Sequence, residues 1–250
     1  MKAVNALLEN IKIPQLYKIK QEFASNPLEN IEGSVVEQIL SLERLKDLKK
    51  GARIAVAVGS RGVADIQLIA ASVVKALKQM GFDPFIVSGM ASHGRSCAEG
   101  QEEILAELGV TEASVGCPVH ASVEVIEIGA LENGLPVYLD RIASEADGIV
   151  VINRIKTHTA FHDKYESGLV KMLSIGLGNH IGAKSCHQLG FGQMGKNIVA
   201  MARMKLEKCT VLFGVAVIED ACENVSIIEV IDADEIMERE PELLKISKKN

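Results

Sequence analysis

Between residues 153 and 187 the chain gathers four of its six histidines, His158, His162, His180 and His187, together with Lys171 and a scatter of glycines. Imidazoles bind metals and move protons near neutral pH, and a lysine amine can carry a covalent adduct. Two more candidates lie upstream: Arg61 in the turn Gly59-Ser-Arg-Gly62, and His93 in Ser88-Gly-Met-Ala-Ser-His-Gly94. Between glycines, an arginine fork can hold a substrate carboxylate through two hydrogen bonds, or simply brace its turn. His93 and His158 suit general acid and base work, the alternative being helix caps or surface residues. Lys171 sits in Ser-Gly-Leu-Val-Lys-Met-Leu. Burial there favours the neutral, nucleophilic amine, whereas an amphipathic helix would let the lysine reach out to water.

The remaining polar residues carry weaker signals. His187 adjoins Cys186 at the expected start of a helix over Gln188–Leu206, and one His-Cys pair falls short of the four ligands of a closed zinc site. His162 and His180 are within reach and unassigned, Asp163 and Glu166 solvate the loop or orient a neighbour, and His120 reads as a surface residue. Gly190-Phe-Gly-Gln-Met-Gly195 has the spacing of a dinucleotide fingerprint. That fingerprint needs a strand immediately upstream, and Ala183–Leu189 is no strand, so the reading is a glycine-rich turn.

These residues need elements to hold them. Arg53–Val58, Pro84–Val87, Asp147–Ile152 and Thr210–Ile218 are short, nearly continuous apolar runs that read as buried strands. Helical spacing covers residues 35–45, 64–80 and 98–108, with stops at Gly51 and Gly81. Ser122–Ile128 and Leu135–Leu139 read as edge strands, and the stretch after His158 as a loop-rich insertion. The alternation predicts an α/β fold with a mainly parallel, Rossmann-like sheet covered by helices on both faces. It occupies an N-terminal domain over residues 1–232, with regular elements from about residue 30. Residues 233–250 read as a charged helix with little apolar surface, either a solvated tail or the lead into a further domain. In such sheets ligands bind beyond the carboxyl ends of the strands, where the loops carrying Arg61, His93 and His158 gather.

Composition narrows the partners. A net charge of −6, three Tyr, six Phe and no Trp give neither the basic patch nor the stacking platforms of a nucleic-acid binder. The apolar runs are too short for a membrane span. Five dispersed cysteines without a C-x-x-C pair, and the lack of an apolar leader, predict a reduced, cytoplasmic protein.

Five ordered segments together carry a resemblance: Gly59-Ser-Arg-Gly62, Ser92-His-Gly94, Asn153-Arg-Ile-Lys-Thr-His-Thr159, Glu166-Ser-Gly-Leu-Val-Lys-Met172 and Ile175-Gly-Leu-Gly178. The set resembles the nickel-dependent lactate racemases and their relatives, over most of the chain from about residue 30. The resemblance implies a nickel-pincer mononucleotide derived from nicotinic acid and tethered through a thioamide. It puts Lys171 at the tether, His187 at the nickel, His93 and His158 at the acid/base positions and Arg61 at the substrate. It implies racemisation of a 2-hydroxy acid: one histidine takes the hydroxyl proton, a hydride leaves Cα, and its return to the other face inverts the centre. The protein supplies positioning and proton transfer while the cofactor carries the hard step.

Two departures qualify what the resemblance implies. Lactate racemases have an acidic residue three positions before the arginine, where this chain has Val58, so the hydroxy acid is left open. The family also carries a carboxy-terminal domain that completes the pocket, which leads to the expectation of a continuing domain, an oligomer or a separate chain. The rival readings are a metal-dependent hydrolase or lyase with His158, His162, His180 or His187 as ligands, and a non-catalytic nucleotide- or metal-binding module.

Overall fold

The computed structural model describes residues 8, 11–12, 14–60, 62–160 and 162–249. Arg61 therefore lies outside the described residues. A six-stranded sheet runs in the order β3-β2-β1-β6-β7-β8. Its members are β1 (Arg53–Val58), β2 (Asp83–Ser88), β3 (Val119–His120), β6 (Gly148–Arg154), β7 (Val211–Glu219) and β8 (Val225–Asp232). All neighbours are parallel except β8, which pairs antiparallel with β7. This is the mainly parallel sheet expected from the continuous apolar runs. β8 was not anticipated, and its mixed burial is that of an edge strand with one side toward water.

The pleat of β1 explains the two-sided core. Ala55 and Ala57 pack into one cluster with Phe85, Val151 and Ala216, while Ile54, Val56 and Val58 pack into another with Ile86, Ile152 and Val215. Strands buried on both faces read as unbroken apolar runs because every residue meets a covering layer. The second cluster is covered by α1 (Ile31–Leu40) and α2 (Ile66–Gln79). α1 ends earlier than the predicted 35–45 helix, and a 3-10 turn over Glu43–Asp47 takes its place. On α2 the buried Ile66, Ile69, Ala70, Val73, Val74 and Leu77 follow the helical repeat. Gly81 terminates it at φ +83°, a conformation that disfavours a side chain. α3 (Ala98–Glu107) and the single turn α4 (Glu112–Val115) follow β2, and a second single turn, α5 (Arg141–Ser144), precedes β6.

Three expectations are corrected. The strands near 122–139 form β4 (Val125–Ala130) and β5 (Pro136–Asp140), a separate antiparallel pair and not edges of the main sheet. The insertion after β6 is largely helical: α6 (Leu169–Ser174), α7 (Asn179–His187) and α8 (Phe191–Lys208). The charged segment does form a helix, α9 (Ile236–Ser247), but Ile236, Glu240, Pro241, Leu243 and Leu244 are buried, and Ile236, Leu243 and Leu244 pack into the first core cluster. Its apolar residues are few, yet they share one face. Among the described residues no helix is long and apolar enough to cross a membrane.

Candidate active site

From β1 the chain crosses to β2 on one side, and from β6 to β7 on the other, so adjacent β1 and β6 send their loops in opposite directions. The crevice this opens at their carboxyl ends is where doubly wound sheets bind ligands. A cavity of about 320 Å³ lies there, lined by Gly59 and Ser60 after β1, Gly89 to His93 after β2, Asn153 and Arg154 at the end of β6, and Lys156 and His158 after it. α6 adds Lys171, Met172 and Ile175, α7 adds Ala183 and His187, and α8 adds Met194. Four of the five residues singled out in the sequence thus share one cavity. Arg61 is flanked by Ser60, which lines it, and by Gly62.

His93 is half-buried, and its Nδ1 shares a hydrogen bond with Ser60 Oγ. The backbone around it is unusual: Ala91, Gly94, Arg95 and Ser96 all have φ between 53° and 64°. Such turns are maintained only where packing over-determines them. Here the packing is backbone on backbone, since a Cβ on Gly94 would lie 2.6 Å from the Gln101 nitrogen at the start of α3. His158 sits on a loop pinched at its neck by reciprocal Lys156 and Ser167 backbone hydrogen bonds of 2.9 and 3.2 Å. Within it, the His158 amide donates to Glu166 Oε2 at 2.7 Å and the Ala160 amide donates to His158 Nδ1 at 3.1 Å. Nδ1 as acceptor means that in the neutral ring the proton sits on Nε2.

Glu166 was expected to solvate the loop or orient a neighbour. Its buried carboxylate accepts from the His158 amide, from His162 Nδ1 at 3.3 Å and from Lys248 Nζ at 2.7 Å. Burial alone would push its pKa up, but these hydrogen bonds, that from Lys248 foremost, outweigh it and hold the group below the ordinary carboxylate range.

Lys171 is half-buried on the cavity side of α6. The next residue, Met172, explains why so many glycines surround the site. A Cβ on Gly89 or Gly176 would lie 2.5 Å from Met172 Sδ, and one on Gly59 would lie 3.1 Å from its Cε. Three elements close on one thioether, which brings Lys171 up to the ends of β1 and β2.

His187 ends α7 and does not begin a helix, and its exposed ring lines the cavity. Cys186 is fully buried, and that burial pushes its thiol up to about 11. It is an inert core thiol, not the partner of His187 in a metal pair. The Gly190–Gly195 segment is likewise corrected: Gly190 caps α8 at φ +77°, while Gly192 and Gly195 lie within the helix. Gly195 leaves room for the Asp163 carboxylate, on which a Cβ would collide.

His162 is exposed, and neither it nor His180 lines the cavity. His120 belongs to β3, half-buried with its ring edge-on to Phe85 at 5.7 Å, and not simply on the surface. Among the described residues no three His, Cys, Asp or Glu side chains converge as a metal-binding group. Sequence reasoning passed over Arg154 and Lys156. Their spacing with His158, two residues apart at a strand end, was the available signal for one shared face. Arg154 is ion-paired with Glu219 of β7, which also accepts from the Ala64 amide at 2.8 Å.

Residues 6–197 match the family model described as the lactate racemase N-terminal domain. The chain belongs to that family. No curated protein matches it in sequence. Among solved structures, the lactate racemase apoprotein from Thermoanaerobacterium thermosaccharolyticum superposes with a TM-score of 0.64 at 17% identity over 89% of this chain. At that identity the likeness concerns the fold. The chain spans 57% of the length of that protein. The lactate racemase N-terminal domain match ends inside α8, so β7, β8 and α9 lie beyond it.

Proposed function

We propose that this chain is the cofactor-bearing part of a cytoplasmic racemase or epimerase of a 2-hydroxy acid. The observation that carries the reading is the meeting of His93, His158, Lys171 and His187 in one cavity of a lactate racemase N-terminal domain.

The donor set fits a nickel-pincer mononucleotide. Lys171 offers the amine for a thioamide tether and His187 an imidazole for nickel, while the lack of a third convergent ligand among the described residues suits a metal held mainly by an organic group. When bound, that group would supply the reversible hydride acceptor that the protein's side chains lack. The chain's own residues do the rest. Lys156 brings a cation to the lining, suited to a phosphate or a carboxylate. Arg61 is assigned to the substrate carboxylate, and His93 and His158 to the hydroxyl proton. With its proton on Nε2, neutral His158 is set to donate, and His93 takes the accepting role. Inversion requires these roles to exchange between enantiomers. A hydrolase with several histidine ligands is less well supported, since His162 and His180 stand outside the cavity.

The test is metal analysis and intact mass of the chain produced together with the cofactor-making enzymes. Nickel near one equivalent and a mass adduct mapping to Lys171 are expected. Absence of both sinks the proposal, and stoichiometric zinc with unmodified Lys171 favours the hydrolase.

A further inference from the structure

The helix that holds Lys171 is short and lacks a cap of its own. α6 has six residues, and its N-cap, Gly168, has no side chain to accept the first-turn amides. Buried amides at a helix start require acceptors. Here the acceptor comes from α9: the Glu240 carboxylate, 1% exposed, accepts from the Val170 amide at 2.8 Å and also from the Leu169 amide. Gly168 is part of the same fit, because a Cβ there would lie 2.5 Å from Glu240 Oε1.

α9 reaches the His158 loop as well. Tyr165 Oη donates to the Met237 carbonyl at 2.6 Å, and just past the helix end Lys248 Nζ binds Glu166, which accepts the His158 amide. One helix therefore grips both the element carrying Lys171 and the loop carrying His158. A buried carboxylate is a poor choice if adhesion were its only role, since an apolar side chain of similar size packs at least as well. What the carboxylate adds is register, because it can accept two adjacent amides only when the first turn of α6 stands at one height over α9.

We propose that Glu240 is a positioning residue for Lys171, and Lys248, through Glu166, one for His158, so that α9 sets the relative placement of the two. The inference rests on the functional reading only in taking Lys171 and His158 as the residues that matter.

The test uses the full chain without cofactor, so it stands whether or not Lys171 is ever tethered. The acetylation rate of Lys171 by an N-hydroxysuccinimide ester is followed by peptide mass spectrometry, relative to exposed Lys18, in E240L, E240D and E240Q. Folding is checked by circular dichroism. E240L should shift the Lys171 ratio about threefold or more, whereas E240Q, which keeps the shape and one acceptor, should stay within about twofold. If E240L fails to fold, the order of the other two decides: E240D, retracted by one methylene, must perturb Lys171 more than E240Q although it keeps the charge. A folded E240L with an unchanged ratio, or E240Q perturbing more than E240D, overturns the role of Glu240. For the second contact, K248M should raise ethoxyformylation of His158 by diethyl pyrocarbonate about twofold or more relative to His120. An unchanged rate removes Lys248 from the inference. Should the labelling behave as expected while the co-produced chain never gains an adduct, the functional reading fails and the positioning one survives.

Discussion

At the scale of single residues, the two candidate acid/base histidines are held by different means. His93 is set by a left-handed turn and by Ser60, His158 by a pinched loop and a buried carboxylate. Lys171 and His187 are carried by other elements, α6 and α7, so proton transfer and cofactor retention should separate on mutation. His93→Ala and His158→Ala are each expected to lower turnover about 10²–10⁴-fold, the usual range for losing a general acid or base. The Lys171 adduct should persist in the intact mass of both. Loss of the adduct in both variants would assign the histidines to structure instead.

Among the elements, what could be read from the sequence depended on where each one finds its stabilising partners. β1 and β2 were legible almost to the residue because continuous apolar runs encode burial locally. α6 and α7 were not, since Gly176 and Gly178 break the stretch between them, Gly182 disfavours helix within α7, and the compensating contacts come from far along the chain. Glu240 lies 70 residues from the amide it caps. The same distance effect hid the partner of Glu166, since Lys248 is 82 residues away, and made α9 look like a charged helix with little apolar surface. The convergence of His93, His158, Lys171 and His187 on one cavity was legible in the sequence, and the distant partners Lys248 and Glu240 were not. If α9 is an integral core element, Leu243→Ala should lower unfolding free energy by about 2–5 kcal/mol, as for other buried leucines. Urea denaturation measures this, and a change within ~0.5 kcal/mol would return α9 to the periphery.

For the molecule as a whole, the fold retains a costly ionisable group in its interior. Lys205 on α8 is fully buried, donates to the Ser174 carbonyl at 3.3 Å, and has its pKa lowered by burial to about 7. A lysine depressed in the folded state withholds a proton that the unfolded chain binds. Its contribution to stability is thus complete above the ordinary lysine pKa and is lost as pH falls towards about 7. Lys205→Met removes that penalty, together with one hydrogen bond whose loss does not depend on pH. The stability of the variant relative to the parent should therefore be more favourable at pH 7 than at pH 10, as read by urea midpoints. An equal difference at both pH values would mean that Lys205 titrates normally in the folded protein.

The contact between Glu240 and α6 also has a consequence in time. During synthesis at roughly 5–20 residues per second, the 70 residues between Val170 and Glu240 take about 4–14 s to appear. For that interval the Lys171 segment leaves the ribosome without the carboxylate that caps it. The helix carrying Lys171 is thus capped late on the growing chain, and a group that reacts with Lys171 meets its finished surroundings only after α9 has docked.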